Sequence, residues 1–125
     1  MGQKEPFAKQ LVLVVEDDPI LRMLAVEMVE DAGFDVVEAS GADEAIDIME
    51  KRPDVSVLFT DIDMPGSMNG VGLAHWACHN GTPIKIVVTS GHHRLGDDDL
   101  PAGSVFFAKP YDTDAVASKI RSMAA

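Results

Sequence analysis

Apolar positions in this chain come in short unbroken runs, and four of those runs stop at a polar group. Leu11–Val15 leads into Glu16, Asp17 and Asp18, and residues 55–60 lead into Asp61. Residues 84–88 lead into Thr89, Ser90 and Gly91, and Val105–Ala108 leads into Lys109 and Pro110. Short apolar runs without alternation are the pattern of strands covered on both faces, as in a parallel sheet. Segments of helical spacing lie between them, so the chain reads as repeated β-α-β units. Parallel strands end at a common edge, and open α/β sheets bind ligands outside that carboxyl edge. The four polar endings would therefore face one crevice, with carboxylates, a hydroxyl and an ammonium around it.

The first helix has Asp18 as its N-cap and Pro19 at its first position. Leu21, Leu24, Met28 and Ala32 follow at helical spacing as its buried face, and Gly33 ends it. Residues 34–38 read as a second strand. Ser40 then caps a second helix, with Asp43 completing a capping box and Ala42, Ala45, Ile46 and Met49 facing the core. Pro53 closes that helix. A third runs from about Gly70 to His79 and stops at Gly81. A last helix starts near Asp112 and carries Ala115, Val116, Ile120 and Met123. Between Gly91 and Ser104 the chain holds Gly96, Asp97, Asp98, Asp99, Pro101 and Gly103, so a helix there is short, frayed or absent. The expectation is five strands and four or five helices, on both faces of the sheet.

At 125 residues the chain suits one domain, with residues 1–10 as a flexible lead-in and 11–125 as the folded unit. A hydrophobic share of 46% beside 25% charged residues excludes a disordered chain. The net charge of −11 disfavours direct contact with nucleic acid or anionic lipid. Cys78 is the single cysteine, so no internal disulfide can form, which fits a reducing cytoplasm. No signal-peptide core or membrane-length apolar stretch is present.

Crowded carboxylates repel, and a hard divalent cation such as magnesium relieves that repulsion through oxygen ligands. Glu16, Asp17 and Asp61 are the candidates to hold it. Asp61 has a second oxygen with which to attack an electrophile, and carboxylates do form acyl phosphates. The oxygens of a phosphoryl group in transfer need neutralising, a task for the cation, Lys109 and the Thr89 hydroxyl. Lys109–Pro110 is a candidate cis peptide.

These same residues resemble the receiver domains of two-component response regulators, and the likeness covers residues 11–123. Val14 to Pro19 resembles the family's acidic pair and helix start, and Thr60 to Gly66 its phosphoacceptor strand and loop. Val88 to Gly91 resembles the switch-hydroxyl strand end, and Ala108 to Tyr111 the lysine region. The resemblance implies a flavodoxin-like three-layer sandwich with five parallel strands in the order 2-1-3-4-5. It implies that Asp61 accepts a phosphoryl group from a histidine kinase or histidine phosphotransfer protein. Magnesium, or manganese in its place, would be bound by Asp17 and Asp61, by Glu16 through water, and by the backbone carbonyl of Asp63. Lys109 would bridge to the phosphoryl group, Thr89 would swing toward it, and Phe106 would be the aromatic switch. Such a domain is a signalling switch rather than an enzyme, acting on a downstream protein.

Three features depart from the family pattern. The loop after Asp61 is one residue longer than the common form, the segment from Thr89 to Lys109 is shortened, and Ser90 offers a second hydroxyl beside Thr89. Competing readings are a magnesium-dependent phosphatase, since Asp61 and Asp63 also resemble the Asp-x-Asp of haloacid dehalogenases, and a pseudo-receiver that only binds partners. His75, Cys78 and His79 share a helical neighbourhood but lack a fourth zinc ligand. His92 and His93 read as solvated, and the aspartates at 97–99 as a solvent loop. With no effector region after residue 125, output would pass through another protein, or the chain is cut from a longer one.

Overall fold

The computed structural model describes residues 10–66, 68–91 and 99–124. Five strands are present: β1 Leu11–Val15, β2 Asp35–Ala39, β3 Val55–Asp61, β4 Lys85–Ser90 and β5 Val105–Ala108. All pair in parallel, in the order β2-β1-β3-β4-β5. Among the described residues there are four helices: α1 Pro19–Asp31, α2 Ala42–Lys51, α3 Gly70–Cys78 and α4 Thr113–Ala124. This is the doubly covered five-stranded architecture and the strand order that the resemblance implied.

The two-residue period of the strands divides the interior in two. Leu11, Leu13 and Val15 of β1 join Leu58 and Val88 against α2 and α3, with Ala45, Met49, Leu73 and Ala77 on the helix side. Val12 and Val14 join Val57, Phe59 and Val87 against α1 and α4, with Met28, Val29, Val116 and Ile120 opposite. An irregularity between β1 and β3 sets the phase, because Leu11 pairs with Val55 but Val12 with Val57. The skipped residue, Ser56, donates from its hydroxyl to the Leu11 carbonyl at 3.2 Å.

Several expected boundaries and faces need correction. β2 begins at Asp35 rather than Phe34, and Phe34 is buried just ahead of it. β3 and β4 run further than the apolar runs do, because Asp61 pairs with Thr89, and Ser90 with Ala108. In α1 the core face is Ala25, Met28 and Val29, whereas Leu21 and Leu24 are 44% and 53% exposed. The first turns of α1 overhang the carboxyl edge of the sheet, so these two leucines line the crevice there instead of packing on strands.

The second helix takes its N-cap at Gly41, not Ser40. That shift makes Glu44 the third helical residue, and it accepts from the Ser40 N–H at 2.7 Å and the Ser40 hydroxyl at 3.0 Å. The expected role of Asp43 in the box thus falls to Glu44. In α4 the buried face is Val116, Ala117 and Ile120, and Ala115 is exposed one position off that stripe. Asp112 caps α4 by accepting from the Asp114 N–H at 2.9 Å. Most of the expected weak helix between 91 and 104 lies outside the described residues, as do His92, His93, Asp97, Asp98 and the lead-in before Gln10.

Gly70 fastens α3 to the end of β3. Its N–H donates to the Ile62 carbonyl at 3.1 Å. A Cβ at this position would lie 2.7 Å from Ile62 Cα and 2.8 Å from the Asp61 carbonyl carbon. Backbone cannot yield as a side-chain tip can, so Gly70→Ala is expected to destabilise the fold by about 2 kcal/mol or more. Urea unfolding checks this, and a variant with the parental midpoint would contradict it.

Candidate functional site

Strand periodicity builds the site. Val14, Phe59, Val87 and Phe107 all point to the α1–α4 side of the sheet. Two residues further along each strand come Glu16, Asp61, Thr89 and Lys109, and these four line one crevice at the carboxyl edge. The crevice holds about 410 Å³. Leu21, Leu24, Met28, Phe59, Pro110 and Tyr111 give it apolar walls. Tyr111 packs edge-on against Phe59, with ring centres 6.2 Å apart.

At its polar end, Lys109 Nζ lies 3.2 Å from Glu16 Oε1 and 3.2 Å from Asp61 Oδ1. The Lys109 N–H donates to the Ser90 carbonyl at 2.9 Å, which extends the β4–β5 ladder to the lysine itself. The Lys109–Pro110 peptide is cis. Glu16 is held from two sides. Its Oε2 accepts from the Asp18 N–H at 3.1 Å, and its carbonyl accepts from Arg22 Nη1 at 3.0 Å. Arg22 also binds Glu38 at 3.0 Å, and so ties α1 to the ends of β1 and β2. Nothing in the spacing of the sequence signalled Arg22.

Glu16, Asp17 and Asp61 each offer a carboxylate oxygen within 4.8 Å of the others. Glu16 and Asp61 are 6% and 4% exposed, so little water screens them. Burial raises the Asp61 carboxyl above its ordinary value, and the opposing Lys109 charge and the Asp63 N–H only partly offset it. Burial likewise raises Glu16. The Lys109 ammonium is disfavoured by burial, but Asp61 and Glu16 outweigh that and raise its pKa.

Two unit charges about 4 Å apart at an effective dielectric near 20 interact by about 4 kcal/mol, and among the described residues the single ammonium of Lys109 leaves the three carboxylates in excess. A small divalent cation fits the remaining charge and the oxygen-only donor set. Asp61 Oδ1 is buried and receives the Lys109 charge without an aligned hydrogen bond, which leaves it lone-pair capacity for such an ion.

The two adjacent hydroxyls of β4 separate by face. Thr89 points into the crevice beside Asp61. Ser90 points the other way, and its Oγ donates to Asp63 Oδ2 at 2.8 Å. Asp63 is thus near the site, but its carboxylate is not one of the clustered three. Phe106 is half-buried against the α2–α3 core, on the opposite face of β5 from Lys109. His75, Cys78 and His79 form no metal-binding group among the described residues. His75 Nε2 instead sits 3.0 Å from the Asp99 carbonyl, and His79 Nδ1 2.7 Å from the His75 carbonyl.

A family model described as the response regulator receiver domain matches residues 12–121. The chain is 30% identical over 115 residues to the response regulator receiver protein CpdR of Brucella abortus, a match covering 90% of this chain and 94% of that protein. It is 31% identical over 118 residues to a chemotaxis protein CheY homolog of Campylobacter jejuni, covering 90% of each. A solved response regulator receiver protein from Sinorhizobium medicae superposes with a TM-score of 0.86 at 23% identity, over 93% of this chain and 94% of that one. That last likeness is one of fold.

The raised Asp61 pKa has a consequence for stability. A carboxyl whose folded value exceeds its unfolded one weakens the fold while it is charged. The penalty is full at neutral pH and fades as the pH falls through the folded value toward the ordinary 3.8. In metal-free protein, Asp61→Asn is therefore expected to raise the melting midpoint near neutral pH, with the gain shrinking on acidification. A variant that melts below the parent at neutral pH would show that the carboxylate is net stabilising there.

Proposed function

The chain belongs to the response regulator receiver domains of two-component systems, and from that membership we propose that it is a phosphorylation switch whose acceptor is Asp61. One observation supports this most: a carboxylate 4% exposed ends the central strand with an ammonium 3.2 Å away and two further carboxylates beside it. An oxygen of Asp61 attacks phosphorus as the bond from phosphorus to the donor breaks, leaving an acyl phosphate on β3. Lys109 stays in contact with the transferred group and neutralises one of its oxygens, and the Thr89 hydroxyl donates to another. Glu16, Asp17, Asp61 and the Asp63 carbonyl are the residues that would hold magnesium, or manganese in its place. Bound there, the cation would neutralise phosphoryl charge that Lys109 and Thr89 do not reach.

Phosphorylation adds charge beside Thr89 and Lys109, a local electrostatic event that biases the surface presented to partners. Phe106, on the far side of β5, is the proposed aromatic reporter of that change. The phosphoryl donor is a histidine kinase or a histidine phosphotransfer protein. The apolar tip of α1 supports a protein donor, because Ile20 and Met23 are 66% and 61% exposed next to the crevice that leads to Asp61. Output goes to a further protein, and the net charge of −11 disfavours nucleic acid as a direct target. No helix among the described residues is long and apolar enough to cross a membrane. We place the protein in the cytoplasm on its single unpaired cysteine, and read it as a switch rather than an enzyme with a separate substrate.

Incubation with radiolabelled acetyl phosphate and magnesium is expected to label the parent chain and not Asp61→Asn. Equal labelling of the two would refute the assignment of Asp61. Lys109→Ala should still bind magnesium yet lose the phosphorylation-dependent change in partner binding, read by pull-down with and without beryllofluoride. A full response in that variant would remove Lys109 from the switch. Steady turnover of a phosphomonoester by the parent chain would favour a phosphatase over a switch.

A further inference from the structure

Ser90 is 1% exposed and belongs to none of the groups that line the crevice, yet it touches two strands that do. Its carbonyl accepts from the Lys109 N–H at 2.9 Å. Its hydroxyl donates to Asp63 Oδ2 at 2.8 Å. One residue earlier, the Thr89 carbonyl accepts from the Ile62 N–H at 2.9 Å. The end of β4 therefore grips the turn after Asp61 twice, once through backbone and once through the Ser90 side chain. The backbone at 63 matters as well, because its N–H helps to lower the Asp61 carboxyl against the effect of burial. Turned from β4 toward Glu16, Asp17 and Asp61, the Asp63 carboxylate would twist the turn with it.

We infer that Ser90 is a positioning residue: its hydroxyl holds the Asp63 side chain toward β4, so that the Asp63 backbone faces Asp61 and the cation site. This rests on the reading of that site as a magnesium-dependent acceptor, and adds to it a residue one position beyond the switch hydroxyl. Groups that orient metal ligands without touching the metal change affinity by roughly 10–100-fold when removed. The loss here should sit at the low end, since Asp63 contributes backbone and the Ile62–Thr89 bond still holds the turn.

Magnesium affinity by titration calorimetry on the full chain reads the effect without any activity. Ser90→Ala and Asp63→Ala are each expected to weaken magnesium binding about tenfold, and the double variant no further than the weaker single. Asp63→Asn, which keeps an acceptor for the hydroxyl, should lose less than Asp63→Ala although both remove the same charge. A folded Ser90→Ala that binds like the parent overturns the inference, and so do additive losses in the double variant. Should Ser90→Ala fail to fold, equal losses in Asp63→Asn and Asp63→Ala overturn it by themselves. A parent chain that binds no magnesium, or binds it undiminished in Asp17→Ala, overturns the reading of the site itself.

Discussion

Everything at the functional edge depends on three acids pressed against one ammonium where water is scarce. Glu16, Asp17 and Asp61 repel one another, and Lys109 satisfies two of them without cancelling the excess. Such an arrangement is held in place by strands packed into two buried cores. The four strands that supply it are the most deeply buried parts of the chain, apart from the short β5, and both cores pack against them. The surplus negative charge is useful: among the described residues Lys109 leaves part of it unbalanced, which suits the site to a small divalent cation.

The period of two along a strand turns a core into a site. The residues that pack under α1 and α4 and the residues that face the crevice are the same rows continued past the helices' cover. A slip of one residue in β3 would send Asp61 to the α2 side and bring Thr60 to the crevice. The irregularity at Ser56 is therefore as much a part of the site as the carboxylate, because it sets that phase. The same logic explains why neighbouring hydroxyls at 89 and 90 lead different lives. One looks at the crevice and the other at the turn behind it.

The sequence made the strands and the site's acidic and basic members legible, because unbroken apolar runs and their polar endings are strong local signals, whereas the strand order followed only from the resemblance to receiver domains. Helix faces were harder to read. The stripe of Leu21, Leu24, Met28 and Ala32 is a sound helical period, but periodicity does not say where a sheet ends beneath a helix. The two leucines that overhang the edge therefore line a crevice rather than a core. The cap of α2 moved by one residue because Ser40 and Gly41 both suit that position, and Glu44 reaches back whichever is used. Arg22 and the Ser90–Asp63 bond left no trace in spacing, since each joins segments that only the folded chain brings together.

The proposed phosphoryl acceptor is a single side-chain oxygen, on residue 61. Borohydride reduces an acyl phosphate to the alcohol, which turns a transient aspartyl phosphate into a stable homoserine that peptide mass spectrometry can locate. After phosphorylation and reduction, the conversion is predicted at position 61 alone. Conversion at 17 or 63, or a phosphoryl group found on a histidine with residue 61 intact, would contradict it.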